Sequence, residues 1–323
     1  MGNLLNGKWT VEDTLSEIRD GGRYIKHPSV FRQSVTADGS SAFRAEANRY
    51  HLYVAVGCPW AHRTVLMRAL KKLESVVPMH QTAQMGDGHG WSFAEPHLVP
   101  GTDARVTRLY EIYALADPGC TSRVTVPTLW DSKERKVVNN ESSEIIRMFN
   151  SEFKAFVPGT PDYYPPQLRG AIDAMNAKVL KGVNDGVTGC GRSASQLAYE
   201  ESFDLLFRTL DELDALLGRQ RYLCGEQQTE ADWRLFPNLI RFDSISYLGY
   251  KCNLRRIEDY PNLSNYLREL WQTPGIAAVC DIEGMKRATY GKGGPIKSNG
   301  IIPKGPWLGL ERPHDRDRFR KAA

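Results

Sequence analysis

The stretch Gly57-Cys-Pro-Trp-Ala-His62 decides the fold of this chain. The residues before it, 49–56, are rich in β-branched and aromatic side chains and predict a strand that stops at the glycine. The residues after it carry apolar side chains at helical spacing as far as Leu73, and Pro59 suits a first helical turn. Cys58 is therefore expected between the end of a strand and the N-terminus of a helix spanning 59–74.

Further signals around this turn follow the order of a thioredoxin fold. The predicted elements are, in chain order, a strand at 76–81, a hairpin of 124–130 with 136–139, and a helix at 143–150. Residues 82–123, with many glycines and prolines, are expected to form a long loop that includes a short helix at 108–115. The order β-α-β followed by β-β-α predicts an α/β thioredoxin-like domain.

The second half of the chain predicts an all-α domain. It follows Val157–Pro166, the clearest linker in the sequence. Leucines recur at helical spacing over 205–217, Thr229–Asp232 has the spacing of a capping box, and Pro261–Trp271 is amphipathic. We therefore expect four parts: an irregular arm (1–46), the thioredoxin-like domain (47–157), the helical domain (158–290) and a C-terminal extension (291–323) that wraps back on the surface.

Composition excludes several classes of function. The net charge of +4 arises from 42 basic and 38 acidic residues without a sustained run of one sign, so no nucleic-acid surface is expected. No apolar stretch has the length of a membrane helix, and the N-terminus lacks the layout of a secretory signal. The six cysteines form no CxxC pair, which predicts reduced thiols in the cytoplasm. The seven histidines form no ligand pattern with them, so no metal is expected.

Cys58 is the candidate catalytic residue. The unpaired N–H groups and the positive dipole end of a helix N-terminus favour an anion, and hence a thiolate. The alternative, a buried structural cysteine, is the expectation for the other five. A dithiol oxidoreductase would carry its second cysteine at position 61, which is alanine here. A mixed disulfide on Cys58 therefore needs an external small thiol such as glutathione.

Two further segments suit glutathione. Val126-Pro127 precedes a predicted strand, where a proline of the thioredoxin fold is usually cis and the neighbouring backbone can pair with a thiol peptide. Asn140–Ser143 opens a helix whose N–H groups suit a carboxylate, while Glu141 suits an ammonium. Taken alone, Ser142 or Ser143 would be interpreted as a simple N-cap.

Over nearly its full length the sequence resembles the xi class of glutathione transferases, the glutathionyl-hydroquinone reductases. The stretches that carry the resemblance are Cys58–Arg63, Gly90–Phe93, Arg123–Pro127, Val138–Ile146, Asp259–Leu263 and Ile302–Pro306. The resemblance implies the glutathione transferase fold and a homodimer. It also implies that Cys58 attacks the sulfur of a glutathionyl-hydroquinone and that a second glutathione then regenerates the thiol. The glutathione contacts that it implies are Trp91, Arg123, Val126, Glu141 and Ser142, although Trp91 alone would suggest packing.

The aromatic-substrate side departs from the family pattern. Three positions where the family carries tyrosine are Thr188, Ser246 and Thr289 here, while Tyr247 and Tyr290 remain nearby. We expect a larger pocket with fewer donors for a quinol oxygen, and hence a hydroquinone-like or bulkier aromatic substrate.

Three hypotheses follow from the sequence. The first is a reductase that uses Cys58 to cleave a glutathionyl thioether. In the second, bound glutathione itself displaces an aryl ether or a halide and Cys58 only helps to bind it. The third is a non-catalytic interaction module of the same fold, which would have no need for the glutathione-contacting residues.

Overall fold

The computed structural model describes residues 2–12, 14–18, 20–84, 86–296 and 298–319. They form two compact units. Among the described residues, the first unit contains those up to 16, those of 26–161 and those of 283–302, and the second contains those of 17–25, 162–282 and 303–319. The division at residue 161 falls inside the Pro-rich segment predicted as a linker.

The strands are β1 (Asn3–Leu5), β2 (Lys8–Thr10), β3 (Val35–Thr36), β4 (Phe43–Arg44), β5 (Tyr50–Val54), β6 (Met79–Gln81), β7 (Ala83–Gln84), β8 (Trp91–Leu98), β9 (Arg105–Arg108), β10 (Thr128–Asp131) and β11 (Lys136–Asn139). The α-helices are α1 (Pro59–Leu70), α2 (Leu109–Ala116), α3 (Ser142–Ser151), α4 (Arg169–Val179), α5 (Asp185–Arg192), α6 (Gln196–Leu217), α7 (Glu230–Arg241), α8 (Tyr247–Gly249), α9 (Pro261–Trp271) and α10 (Ile282–Tyr290). Two π-helical turns, Leu180–Asn184 and Phe242–Ser246, precede α5 and α8.

The central sheet of the first unit has the strand order β11-β10-β5-β6. β5 pairs in parallel with β6 and antiparallel with β10, and β10 pairs antiparallel with β11. Helix α1 packs against α3 and β5. The predicted thioredoxin-like order is thereby confirmed.

The ends of the predicted elements shift for local reasons. Helix α1 ends at Leu70 rather than at residue 74, because Lys72 adopts φ of 53°, a left-handed conformation that stops a helix. Strand β10 begins only after Pro127, which has no N–H to donate to a neighbouring strand. Helix α3 begins at Ser142, one residue earlier than predicted, and its N-cap is Glu141 instead of a serine, because the Glu141 carboxylate accepts from the Ser143 N–H.

The prediction of a long loop over 82–123 is wrong. This segment forms a three-stranded antiparallel sheet of β7, β8 and β9, followed by α2. Most residues of β8 are partly or fully exposed and the strand contains Pro96, so the sequence lacks the alternation of apolar residues that indicates a strand. The short helix predicted at 108–115 is present as α2, one residue further along.

The N-terminal segment is also more regular than predicted. β1 and β2 form a hairpin, and β3 and β4 form a short parallel pair. Leu4 bridges to Ser122, and Arg32 bridges to Asn139 at the end of β11. Residues 26–32 lie beside the N-terminus of α3, where Lys26 and Ser29 contact Glu141 and Arg32 contacts Glu144. This position matters for the site described below.

A buried ion pair joins two strands of the central sheet. Arg49, next to β5, donates to both carboxylate oxygens of Asp131 at the end of β10, over 2.6–3.0 Å. The Asp131 side chain is fully buried and that of Arg49 is 6% exposed. The pair is a charge-assisted, two-pronged contact that ties the N-terminal end of β5 to its neighbour.

The second unit is all-α, as predicted. The inward face of α6 is built on Leu206, Leu210, Leu213 and Leu217. The capping box at the start of α7 is present, with Asp232 accepting from the Thr229 backbone at 2.7 Å. The C-terminal extension is held more firmly than the sequence suggested, since the fully buried Arg316 donates to the carbonyl of Leu217 at 2.7 Å.

No helix within the described ranges is both long and apolar enough to cross a membrane.

Candidate functional site

Cys58 lies where the sequence placed it, at the N-cap of α1 directly after β5. Its half-buried sulfur accepts from the backbone N–H of Ala61 and donates to the carbonyl of Val126, each over 3.5 Å. Loss of the thiol proton would keep the first contact and remove the second. A helix N–H and the positive dipole end of α1 thus face the position of a thiolate.

The segment Val126–Pro127, opposite Cys58, has the cis peptide bond that the sequence predicted. Val126 is buried. Its carbonyl is the acceptor for the Cys58 thiol. The pairing of this segment with a thiol peptide stays a prediction.

Helix α10 closes one side of the Cys58 turn. A side chain built on Gly57 would bring its Cβ to 2.8 Å from Cβ of Ala288, so only glycine permits this approach. Thr289 and Tyr290 come next on the same helix and are both buried. The Thr289 hydroxyl donates to the Met285 carbonyl at 2.8 Å, so its proton is already committed within α10.

The N-terminus of α3 carries the second predicted part of the site. Oε1 of Glu141 accepts from the backbone and hydroxyl of Ser143 at 3.1 and 3.0 Å. Oε2 accepts from the Lys26 ammonium and the Ser29 hydroxyl, each at 3.1 Å. Burial alone would raise the pKa of the Glu141 carboxyl, but the charge of Lys26 and these hydrogen bonds together lower the pKa to about 2.

Ser142, the residue after Glu141, is buried and accepts from the guanidinium of Arg63 at 3.5 Å. The Arg63 guanidinium also lies over the Trp60 ring, 4.4 Å from its centroid, and the Lys26 ammonium lies 4.7 Å from the same centroid. Two cations, Lys26 and Arg63, therefore contact the Glu141 carboxylate and the Ser142 hydroxyl, which the sequence analysis assigned to glutathione binding. This is the most charged part of the site.

The other two predicted glutathione contacts, Trp91 and Arg123, belong neither to the Cys58 turn nor to the start of α3. Trp91 is half-buried at the start of β8, where it pairs with Gln84. The Arg123 guanidinium donates to the Leu15 carbonyl at 2.6 Å, so it is engaged with the N-terminal segment.

The remaining predicted substrate residues belong to the second unit. The Thr188 hydroxyl donates to the Asn184 carbonyl at 2.8 Å, across the junction between a π-helical turn and α5. Ser246 is buried at the end of the other π-helical turn, and Tyr247 is half-buried at the start of α8. Like Thr289, Thr188 has its hydroxyl proton committed to a carbonyl of its own helical segment.

Three residues that support the site were missed from the sequence. Lys26 and Ser29 lie in a segment without periodicity, and only its long-range pairing with the α3 region brings them to Glu141. Arg63 did carry a signal, because an arginine on the inner side of a buried helix requires a polar partner. Among the residues that the structure describes, no group of three or more histidine, cysteine, aspartate or glutamate side chains is arranged to hold a metal ion.

Comparison with protein families gives two matches. Residues 57–152 match the glutathione S-transferase N-terminal domain, and residues 196–269 match the glutathione S-transferase C-terminal domain. The first match begins at the Cys58 turn and ends just after α3, so it contains both parts of the site in the first unit.

Known proteins resemble the chain over almost all of its length. It is 42% identical to the glutathionyl-hydroquinone reductase YqjG of Escherichia coli K12, with 98% of this chain and 99% of the relative covered. It is 44% identical to the glutathionyl-hydroquinone reductase PcpF of Sphingobium chlorophenolicum, with 95% and 96% covered. The glutathione-bound structure of YqjG superposes with a TM-score of 0.87 at 40% identity, covering 98% of this chain and all of that one.

Proposed function

Because this chain belongs to the xi class of glutathione transferases, the glutathionyl-hydroquinone reductases, we propose that it removes glutathione from an aromatic thioether by way of Cys58. The observation that carries the proposal is the position of the Cys58 sulfur, at a helix N-cap between the Ala61 N–H and the Val126 carbonyl. A sulfur so placed is half-buried yet accessible, and the helix end favours its anionic form.

The reaction has two balanced steps. In the first, the Cys58 thiolate attacks the glutathione sulfur of the substrate, an S–S bond forms, and the C–S bond to the ring breaks as the ring takes a proton. In the second, a glutathione thiolate attacks the Cys58–glutathione disulfide, regenerates the Cys58 thiolate and leaves as oxidised glutathione. With alanine at position 61, the motif has no second thiol to replace glutathione in this step.

The glutathione moiety is proposed to bind along the first unit. Glu141 and Ser142 at the N-terminus of α3 would hold its γ-glutamyl end, since a carboxylate suits the ammonium and helix N–H groups suit the carboxylate. Val126 and Pro127 would pair with its backbone, with Trp91 and Arg123 as further contacts. YqjG, which shares 42% of its residues with this chain, has been crystallised with glutathione bound.

The aromatic part of the substrate is proposed to contact Thr188, Ser246, Tyr247, Thr289 and Tyr290. Both threonine hydroxyls donate within their own helical segments, so they leave no free proton for a quinol oxygen. We therefore infer that Tyr247 and Tyr290 carry the phenol donors that remain for a quinol oxygen, and that the substrate is as large as a hydroquinone or larger.

Intact-protein mass spectrometry tests the function. Wild type and Cys58→Ser are each mixed with a glutathionyl-hydroquinone in the absence of free glutathione. We expect one glutathione adduct on wild type, an equal amount of released hydroquinone, and neither product from the variant. Without adduct and release from folded wild type, the reductase proposal fails.

The committed threonine hydroxyls also favour a second candidate, in which bound glutathione displaces an aryl ether or a halide. That reaction needs no covalent intermediate on Cys58. Cys58→Ser would then keep a measurable part of the displacement rate, whereas thioether cleavage would be abolished.

We further propose a homodimer that works in the cytoplasm, and the division into arm (1–46), glutathione-binding domain (47–157), substrate domain (158–290) and extension (291–323). All six cysteines are free thiols, which suits a reducing compartment. Light scattering on the purified chain would test the dimer, since a monomer mass at micromolar concentration would contradict it.

A further inference from the structure

The described residues of segment 17–25 belong to the helical unit, although the parts of the N-terminal arm before and after them belong to the first unit. They form a loop closed on itself, because the Ile25 N–H donates to the Glu17 carbonyl at 2.7 Å and Ile18 bridges to Tyr24. Neither this 17–25 loop nor its aromatic residue, Tyr24, has a role in the function proposed above.

The 17–25 loop is fastened to the start of α6. The Ala194 N–H donates to the Gly22 carbonyl at 2.8 Å, and a Cβ built on Gly22 would lie only 2.7 Å from the backbone nitrogen of the α6 N-cap residue. The Arg23 guanidinium donates to both carboxylate oxygens of Glu201 over 2.6–2.7 Å. The two residues before Tyr24 therefore hold its backbone on the helical unit.

The side chain of Tyr24 lies beside the end of α5. The Arg192 guanidinium, on the last residue of α5, is 5.4 Å from the centroid of the Tyr24 ring and 2.8 Å from one carboxylate oxygen of Glu17. The Tyr24 hydroxyl donates to the other oxygen of Glu17 over 3.4 Å. Tyr24 is half-buried and the Glu17 side chain is 13% exposed, so the three side chains form a packed cluster on α5.

Thr188 lies on the same face of α5 as this cluster. Residues four apart on an α-helix are neighbours on its surface, so Thr188 is one turn from Arg192. A helical side chain also leans over the turn before its own Cα, which directs Arg192, and the Tyr24 ring beside it, towards position 188. Thr188 is one of the residues proposed to contact the aromatic group of the substrate, and its own hydroxyl proton is committed to the Asn184 carbonyl.

Tyr24 supplies the chemistry that this face of α5 lacks. A phenol offers an apolar ring and one O–H donor. Its hydrogen bond to Glu17 is long, since O–H···O contacts are ordinarily about 2.5–3.0 Å, so a closer substrate oxygen can replace Glu17, which keeps its ion pair with Arg192. Burial, followed by the charge of Glu17, raises the pKa of Tyr24 above its ordinary value of 10, so the phenol keeps its proton at neutral pH.

We propose that Tyr24 is a specificity-determining residue, whose ring packs against the aromatic group of the substrate and whose hydroxyl donates to an oxygen on that group. The inference rests on the proposed function, because that function places the aromatic group at Thr188. It narrows the substrate class to aromatic thioethers whose ring carries an oxygen, as a quinol does. A ring without an oxygen would gain only the packing.

Calorimetric titration tests this contact without the reaction. Cys58→Ser and Cys58→Ser/Tyr24→Phe are each titrated with a glutathionyl-hydroquinone and with S-methylglutathione, which has no aromatic group. We expect Tyr24→Phe to raise Kd for the glutathionyl-hydroquinone about three- to tenfold, the loss of one neutral hydrogen bond, and to leave Kd for S-methylglutathione unchanged. Tyr199→Phe on the same background is the matched control. It removes a hydroxyl of the same unit that donates to the Lys251 carbonyl at 2.8 Å, and should leave both affinities unchanged.

Tyr24→Leu should raise Kd for the glutathionyl-hydroquinone further than Tyr24→Phe, because it also removes the ring. The proposal is overturned if Tyr24→Phe leaves this Kd unchanged. It is also overturned if Tyr24→Phe weakens both ligands equally, since Tyr24 would then act through the fold and not through the aromatic group. Failure of the proposed function would appear separately, as wild type that cleaves no thioether, because the affinities are measured without Cys58. Binding of neither ligand would contradict both proposals.

Discussion

The Lys26 ammonium lies 3.1 Å from Oε2 of Glu141, on the carboxylate that we assign to the ammonium of glutathione. The Lys26 and Glu141 side chains are 34% and 15% exposed, so the pair is only partly screened by water. One carboxylate therefore faces two candidate ammonium partners, one from its own chain and one from the co-substrate.

We expect Lys26→Met to lower KM for glutathione by up to about fivefold. This corresponds to about 1 kcal/mol, the upper range for a partly exposed ion pair that no longer competes for the carboxylate. Steady-state kinetics with varied glutathione measures it. Lys133→Met, which removes an exposed lysine that pairs with Glu46, is the control and should leave KM unchanged. A rise in KM on Lys26→Met would show that this lysine helps to bind glutathione.

Glu141→Gln should raise KM for glutathione at least tenfold, because charge-assisted hydrogen bonds contribute about 1.5–3 kcal/mol.

The pKa of Glu141 in the fold is about 2, below its ordinary value of 4.5. The carboxylate therefore contributes stability that is complete above pH 4.5 and is lost as the pH falls towards 2. Urea unfolding should show a shallower loss of stability over this window in Glu141→Gln than in wild type. For the kinetic prediction, an unchanged KM for glutathione in Glu141→Gln would show that Glu141 does not bind the co-substrate.

Two adjacent histidines should make the protein sensitive to mild acid. Nδ1 of His51 and Nε2 of His80 are 3.0 Å apart, and burial followed by the charge of His97 lowers each pKa from 6.5 to about 4. The unfolded chain binds protons below pH 6.5 and the fold does not, so stability falls as the pH drops from 6.5 towards 4. We expect a loss of about 2 kcal/mol between pH 7 and 5, after allowance for partial exposure.

Urea unfolding at several pH values measures this loss, and His80→Gln should reduce it. The exposed His89 supplies the control, since His89→Gln should leave the slope of stability against pH as it is in wild type. Equal slopes for wild type and His80→Gln would contradict the assignment.

Asp131→Ala should lower the free energy of unfolding by about 3–5 kcal/mol, because it leaves the buried Arg49 guanidinium without its carboxylate. Glu46→Ala is the matched control. It removes a carboxylate that is 40% exposed from the same arginine and should cost less than about 1 kcal/mol. If the two variants unfold at the same urea concentration, burial does not distinguish the two ion pairs.

The parts of the site that could be predicted depend on neighbours in sequence. The Cys58 N-cap follows from a few adjacent residues, and the cis bond before Pro127 follows from the thioredoxin-like order of the predicted elements. The start of α3 was predicted to within one residue, but its N-cap is Glu141 and not one of the serines that follow it. Lys26 could not be predicted, because its contact with Glu141 spans 115 residues and its segment has no regular pattern. Strand β8 was missed for a related reason, since its pairing partners and not its own residues make it a strand.

The close approach of Gly57 to Ala288 has a consequence for redesign of this enzyme. A Cβ added at position 57 would lie only 2.8 Å from Cβ of Ala288. No room is therefore left for a side chain between the turn that carries the thiol and helix α10. A library that aims to change the aromatic group, which we propose contacts α10, can vary positions 289 and 290. It should keep glycine at position 57, because a Cβ there would meet the Ala288 side chain and would have to displace the nucleophile or the helix.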